Sequence, residues 1–142
     1  MVALVVHGVA TTALTGLIWF VQVVHYPLFA NVGNREFPAY AEQHVRRTTM
    51  VAAPLMLVEA ATAAWLTIAP PTPAVAPLTW VGFALLLVIW ISTAALQVPC
   101  HGRLARGFDP KIAGRLVRTN WVRTIAWTAR CALATAMLAV SR

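Results

Sequence analysis

The sequence predicts an all-α membrane protein, a bundle of four transmembrane helices built by duplicating a helical hairpin. Three observations lead there. Hydrophobic residues make up 60% of the 142 positions and charged ones only 11%, whereas a soluble domain carries about 25% charged residues. The apolar residues gather in four long runs, Ala3–Phe29, Thr48–Ala69, Leu78–Cys100 and Val122–Val140, each near the roughly 20 residues that cross the hydrocarbon core. Finally, the chain matches itself without a gap when slid by 71 residues: Ile18-Trp19 falls on Ile89-Trp90, Arg35 on Arg106, Phe37 on Phe108, and Arg47-Thr48 on Arg118-Thr119. A single membrane domain, 1–142, thus divides into repeat one, 1–71, and repeat two, 72–142. Both hairpins start and return on one side, so the offset predicts a parallel pseudo-twofold axis along the membrane normal.

The first run lacks a basic leader and is too long for the core of a signal peptide, so a retained helix is expected. It carries a polar stripe at helical spacing, Thr15, Trp19, Gln22 and Tyr26, with His25 beside it. The loop that follows is basic, with Arg35, Arg46 and Arg47. "NREFPAYAEQH" reads as the start of the second helix, with Pro38 in its first turn. That helix bears His44, Thr48, Glu59 and Thr62. The middle loop, "APPTPAVAP", has no charge. The third helix repeats the stripe as Trp90, Thr93, Gln97 and His101. A second basic stretch follows, with Arg103, Arg106, Lys111, Arg115, Arg118 and Arg123. In "RGFDPKIAGR", Asp109 is a good N-cap and Pro110 a good first helical residue. The fourth helix adds Asn120, Trp127 and Arg130. The six tryptophans, Trp19, Trp65, Trp80, Trp90, Trp121 and Trp127, are candidate interfacial anchors.

The charge distribution orients the bundle. Basic loops stay in the cytosol, so both termini are expected outside a bacterial inner membrane. The net charge of +7 then records topology and contact with anionic lipid head groups. No recognition motif accompanies it, so nucleic acid is not an expected partner. Cys100 and Cys131 have neither redox nor zinc spacing and are expected to be free thiols.

Two charges stand out because they interrupt apolar text. Glu59, in "LMLVEAATA", and Arg130, in "WTARCAL", coincide under the offset. Each lies about 21 residues past its helix start, so the two share one depth near mid-membrane. A twofold-like axis turns them toward each other. A buried charge is costly unless paired, by roughly 3 kcal/mol on insertion scales, so a Glu59–Arg130 ion pair is expected. It has two readings: a lock on the bundle's register, or the floor of a polar cavity that binds a ligand or passes a proton. The stripes grow richer toward the cytosolic end, which predicts a pocket opening there and narrowing to the pair. Interhelical hydrogen bonding without a cavity is the alternative.

His25, His44 and His101 are expected to converge at the mouth, whereas His7, at the other end of the first helix, is expected to be interfacial. The three histidines suit general acid–base work near neutral pH. They are also candidate ligands for haem b or a transition metal, with Glu42 as a further candidate ligand, although no local ligand motif such as His-x-x-x-His or Glu-x-x-His is present. Glu42 is a candidate orienting carboxylate for His44.

The segments "HYPLFANVG" to "FPAYAEQHVRRTT", "QVPCHGRLARGFD" and "LVRTNWVRT" resemble a bacterial group of small, uncharacterised four-helix integral membrane proteins. In layout the chain is also loosely similar to anthrone-oxygenase-like membrane proteins, and that resemblance implies oxidation of polycyclic aromatic substrates.

Read together, these features point first to a membrane-embedded enzyme, an oxidoreductase or isomerase, acting on a lipophilic small molecule such as a polyketide, isoprenoid, quinone or lipid. Glu59, Arg130, His25, His44 and His101 would act on it. Trp19, Gln22, Tyr26, Thr62, Trp90, Thr93, Gln97, Asn120, Arg123 and Trp127 would hold it. The rivals are a haem- or metal-binding redox protein on the same histidines, and a small carrier or subunit, self-associating or built into a larger membrane complex.

Overall fold

A computed structural model describes residues 1–141, which fold as helices joined by short turns, with no strand among the described residues. α1 spans Val2–Phe20 and continues through a π-helical turn, Val21–His25, into a 3₁₀ turn, Pro27–Asn31. α2 spans Phe37–Ile68. α3, Ala76–Ser92, runs through a second π turn, Thr93–Gln97, into α4, Val98–Leu104, and α5 spans Pro110–Val140. Three of these stretches, Val2–Asn31, Phe37–Ile68 and Ala76–Leu104, are long and apolar enough to cross a membrane. α5 has the length of a fourth, 31 residues, but carries several cations along it.

The helix boundaries follow from local chemistry. The Asp109 carboxylate accepts from the amides of Lys111 and Ile112 at 2.8 and 3.3 Å, capping α5 in front of Pro110. Pro38 stands in the first turn of α2, where its missing N–H costs nothing. Gly107, with φ of +151°, turns the chain out of α4, a conformation that favours glycine. Each π turn ends two residues before a proline, Pro27 or Pro99. A proline ring clashes with the carbonyl four residues back and donates nothing to it. The preceding amide instead closes a wider ring, from Tyr26 N to the Val21 carbonyl and from Val98 N to the Thr93 carbonyl.

The helices form a square. α1 packs on α2 and α5, and α3 packs on α5 and α2, while α2 and α5 lie across the diagonal without touching along their backbones. The larger core cluster includes Leu14, Ile18, Phe29, Phe37, Ile89, Leu116 and Trp127. A smaller one, Leu4, Leu66, Val75 and Met137, closes the end where the α2–α3 turn lies. Many large apolar side chains face outward, among them Val9, Met50, Trp65, Trp80 and Ile125, as a lipid-facing surface requires. Trp127 does not share that surface; it is buried, not an anchor.

Candidate functional site

Glu59 and Arg130 meet across the diagonal. Arg130 Nε donates to Glu59 Oε1 at 3.0 Å, and this is the only ion pair among the described residues. Both side chains are sealed, at 0% and 1% exposure. Thr11 Oγ1 donates to the same carboxylate oxygen at 2.9 Å, and Trp127 Nε1 donates to the other at 3.1 Å. Arg130 Nη1 donates to the Gly82 carbonyl. All four helices of the square therefore converge on one ion pair. Arg130 Nη2 is buried without a partner beside a void of about 10 Å³ lined in part by His7, Thr79 and Gly82.

This layer departs from the sequence reading in two respects. His7 is buried rather than interfacial, with Nδ1 bonded to Thr62 Oγ1 at 3.0 Å. The hydroxyl offers it a partner one helical turn beyond Glu59, so the ring turns inward. The second departure concerns the cavity, whose floor is not the ion pair. The chain's large groove, of about 710 Å³, lies between α2 and the α3–α4 segment, and its walls include neither Glu59 nor Arg130. Its apolar wall on α2 is Ala52, Ala53, Met56 and Leu57, facing Trp90 and Val98.

The groove's polar end gathers the expected histidines. His25 Nε2 and His44 Nδ1 are 2.7 Å apart, and Thr48 Oγ1 lies 3.2 Å from the same Nδ1. Tyr26 Oη and His101 Nε2 are 2.9 Å apart, and the His44 and His101 rings stand 5.3 Å apart between centroids. His44, His101 and Tyr26 line the groove. His25 backs His44 from behind, in a cage that includes Phe29 and Tyr40. The π turns just ahead of Pro27 and Pro99 bring Tyr26 and His101 to this end. Among the described residues no group of three His, Cys, Asp or Glu side chains is arranged to hold a metal ion. Two of the histidines bond to each other and the third to a tyrosine.

Of the remaining expected residues, Trp90, Thr93, Gln97 and Arg123 also line the groove. Gln97 is held by Ser92 Oγ at 3.1 Å and donates to Thr119 Oγ1 at 3.3 Å. Arg123 lies over the Trp127 ring at 5.2 Å, and its Nε is buried without a partner. Gln22 and Asn120 lie outside the groove. Gln22 donates to the Val117 carbonyl at 3.1 Å and accepts from Asn120 Nδ2 at 2.8 Å, a buried bridge between α1 and α5. Trp19 faces outward, its Nε1 on Thr128 Oγ1 at 3.0 Å and its ring against Trp121. One surface hydroxyl satisfies its single donor, so it needs no interior site. Thr62 and Trp127 belong to the ion-pair layer.

Sequence reasoning missed Thr11, a buried threonine whose partner lies 48 residues away, and the small apolar wall of the groove. Neither leaves a pattern beyond hydrophobicity. Both cysteines are free, Cys100 buried and Cys131 half-buried. Comparison with protein-family models, with curated proteins and with solved structures gave no match.

Proposed function

We propose that this chain is a membrane-embedded enzyme that admits a lipophilic small molecule sideways from the bilayer into the groove between α2 and α3–α4 and moves a proton on it at His44. The observation that carries this reading is the hydrogen-bonded His25–His44 pair at the polar end of a groove of about 710 Å³ with apolar walls. That volume falls in the roughly 300–1,000 Å³ range of small-molecule sites. His44 Nδ1 faces two groups, His25 Nε2 and Thr48 Oγ1. As a donor, Nδ1–H serves both; as an acceptor, its single lone pair serves one. The donor tautomer leaves His44 Nε2 a bare acceptor, on a residue that lines the groove. A C–H or O–H proton of the ligand passes to Nε2, the Nδ1 proton passes to His25 Nε2, and the reverse transfer returns a proton to a neighbouring atom of the ligand. Net isomerisation results, with no other reactant. Tyr26–His101 supplies a second donor at the same end.

The topology that goes with this is four spans with the basic loops cytosolic. α5 matches α2 in length, 31 residues against 32, and its deepest cation is neutralised inside the bundle. A duplicated hairpin is supported by the π turns, which begin at residues 21 and 93, each just ahead of a proline. There the spacing is 72, one more than the offset of 71 that pairs Glu59 with Arg130.

The test is a washout in D₂O. Membrane extracts incubated with the purified protein in lipid discs are searched by mass spectrometry for lipid-soluble molecules that gain deuterium. Labelling should depend on the protein, be lost in His44→Gln, and fall in Ala53→Trp, which fills the groove. No protein-dependent labelling, or labelling that survives both substitutions, overturns the reading.

A further inference from the structure

The charges inside the bundle do not balance. Glu59 is fully used by Arg130, Thr11 and Trp127. About two helical turns before Arg130 on α5, Arg123 lines the groove with no carboxylate within 4.0 Å among the described residues, and its Nε is buried with no partner. The indole beneath it, Trp127, already gives its only N–H to Glu59. At the open end of the groove Glu42 and Arg46 stand four residues apart on α2, exposed and of opposite sign. Their charges offset each other, which leaves Arg123 as the groove's net charge. The neighbouring side chains on the groove wall are Tyr26, His101 and Gln97, groups that hydrogen-bond without bringing a negative charge. Buried cations in membranes are matched by an anion or by water, and guanidinium groups bind oxyanions in preference to other shapes.

Resting on the reading of the groove as a site for lipophiles, we infer that its ligand is a single-chain lipophile with one monoanionic oxygen head, the head bound by Arg123 and the chain lying along Ala52, Ala53, Met56 and Leu57. One uncompensated guanidinium suits a single negative charge, and the walls beyond it are apolar, so the site has a charged end and a hydrocarbon end.

Oleate, methyl oleate and oleylamine share one chain and differ in head charge. Each is tested for displacing a neutral fluorescent lipophile from the protein in phosphatidylcholine discs at about pH 8, above the carboxylate range. Oleate should displace the probe at a concentration about ten-fold lower than methyl oleate, the effect of one charge-assisted hydrogen bond, and oleylamine should be the weakest. Arg123→Gln should bring oleate level with methyl oleate, and Arg47→Gln, outside the groove, should keep the ten-fold ratio. If Arg123→Gln does not fold, Arg123→Lys and the wild-type ratio decide. Equal displacement by oleate and methyl oleate in the wild type overturns the anionic head and leaves the groove standing. Failure of all three chains to displace the probe overturns both.

Discussion

Replacing Glu59 with glutamine removes one charge and one acceptor from a layer that has no access to water. The carboxylate accepts from Arg130 Nε and Thr11 Oγ1 on one oxygen and from Trp127 Nε1 on the other. An amide can keep its oxygen toward Arg130 and Thr11, but its NH₂ then faces the Trp127 N–H, donor against donor. A buried donor left unsatisfied costs about 1–3 kcal/mol. Arg130 also loses its counter-charge at 1% exposure. Breaking one side of a buried pair costs roughly 3–5 kcal/mol in all. At roughly 3–4 °C per kcal/mol for a chain of this size, the melting temperature in lipid discs should fall by about 10–20 °C. Glu59→Met with Arg130→Met removes both charges and should recover part of the loss, ending about 1–3 kcal/mol below wild type because the Trp127 N–H has lost its acceptor. Because the groove does not reach this layer, the double variant should also bind a lipophilic probe with wild-type affinity. A single variant within about 1 kcal/mol of wild type, or a double variant as unstable as the two single losses added together, refutes the view that the pair locks the bundle. Loss of probe binding in a folded double variant refutes the separation of pair from groove.

Other perturbations test neighbouring parts of the same account. Thr11→Val keeps the shape and deletes a donor to a charged acceptor, so it should cost about 1.5–3 kcal/mol in the same melting assay. Pro99→Ala permits a regular α turn where the π turn now stands; losing the extra residue swings His101 by about 100° relative to Trp90, so probe affinity should fall several-fold in a protein that still melts cooperatively. In a background with Cys100 and Cys131 replaced by alanine, cysteines at Arg35 and Arg106 should react with an impermeant maleimide only from the cytosolic face of oriented vesicles, and a cysteine at Ala74 only from the opposite face. Labelling of Arg35→Cys and Arg106→Cys from opposite faces would sink the four-span topology.

What the sequence made legible was what the membrane makes expensive. A carboxylate and a guanidinium in apolar text must find each other, and the one fixed offset told where. The helix starts at Pro38 and Asp109-Pro110 were legible because proline and an N-cap act locally. The convergence of His25, His44 and His101 followed from their placing at helix ends. Less was visible where a residue's partner is distant and its own signal weak. Trp19 and Gln22 belong to one polar stripe by spacing, yet an indole meets its need at the surface on Thr128 while an amide must be buried against Asn120. His7 looked peripheral because position along the helix says nothing of Thr62 on the next one. The groove itself was illegible, since Ala52, Ala53 and Met56 differ from lipid-facing neighbours only in what stands opposite them.

The two layers explain each other. An ion pair across the diagonal, with Thr11, Trp127 and the Gly82 carbonyl attached, draws the four helices together at one depth and costs most when half-broken. Away from it, toward the basic loops, Pro27 and Pro99 force wide turns into the two helices that lack the pair. The groove lies between α2 and α3–α4 on the π-turn side of the pair, with Tyr26, Val98 and His101 among its walls. Trp127 stands at the boundary, giving its N–H to the locked layer and its ring face to Arg123 in the open one. It follows that weakening the pair should loosen the groove's ligand preference only by loosening the bundle, and in proportion to the stability lost.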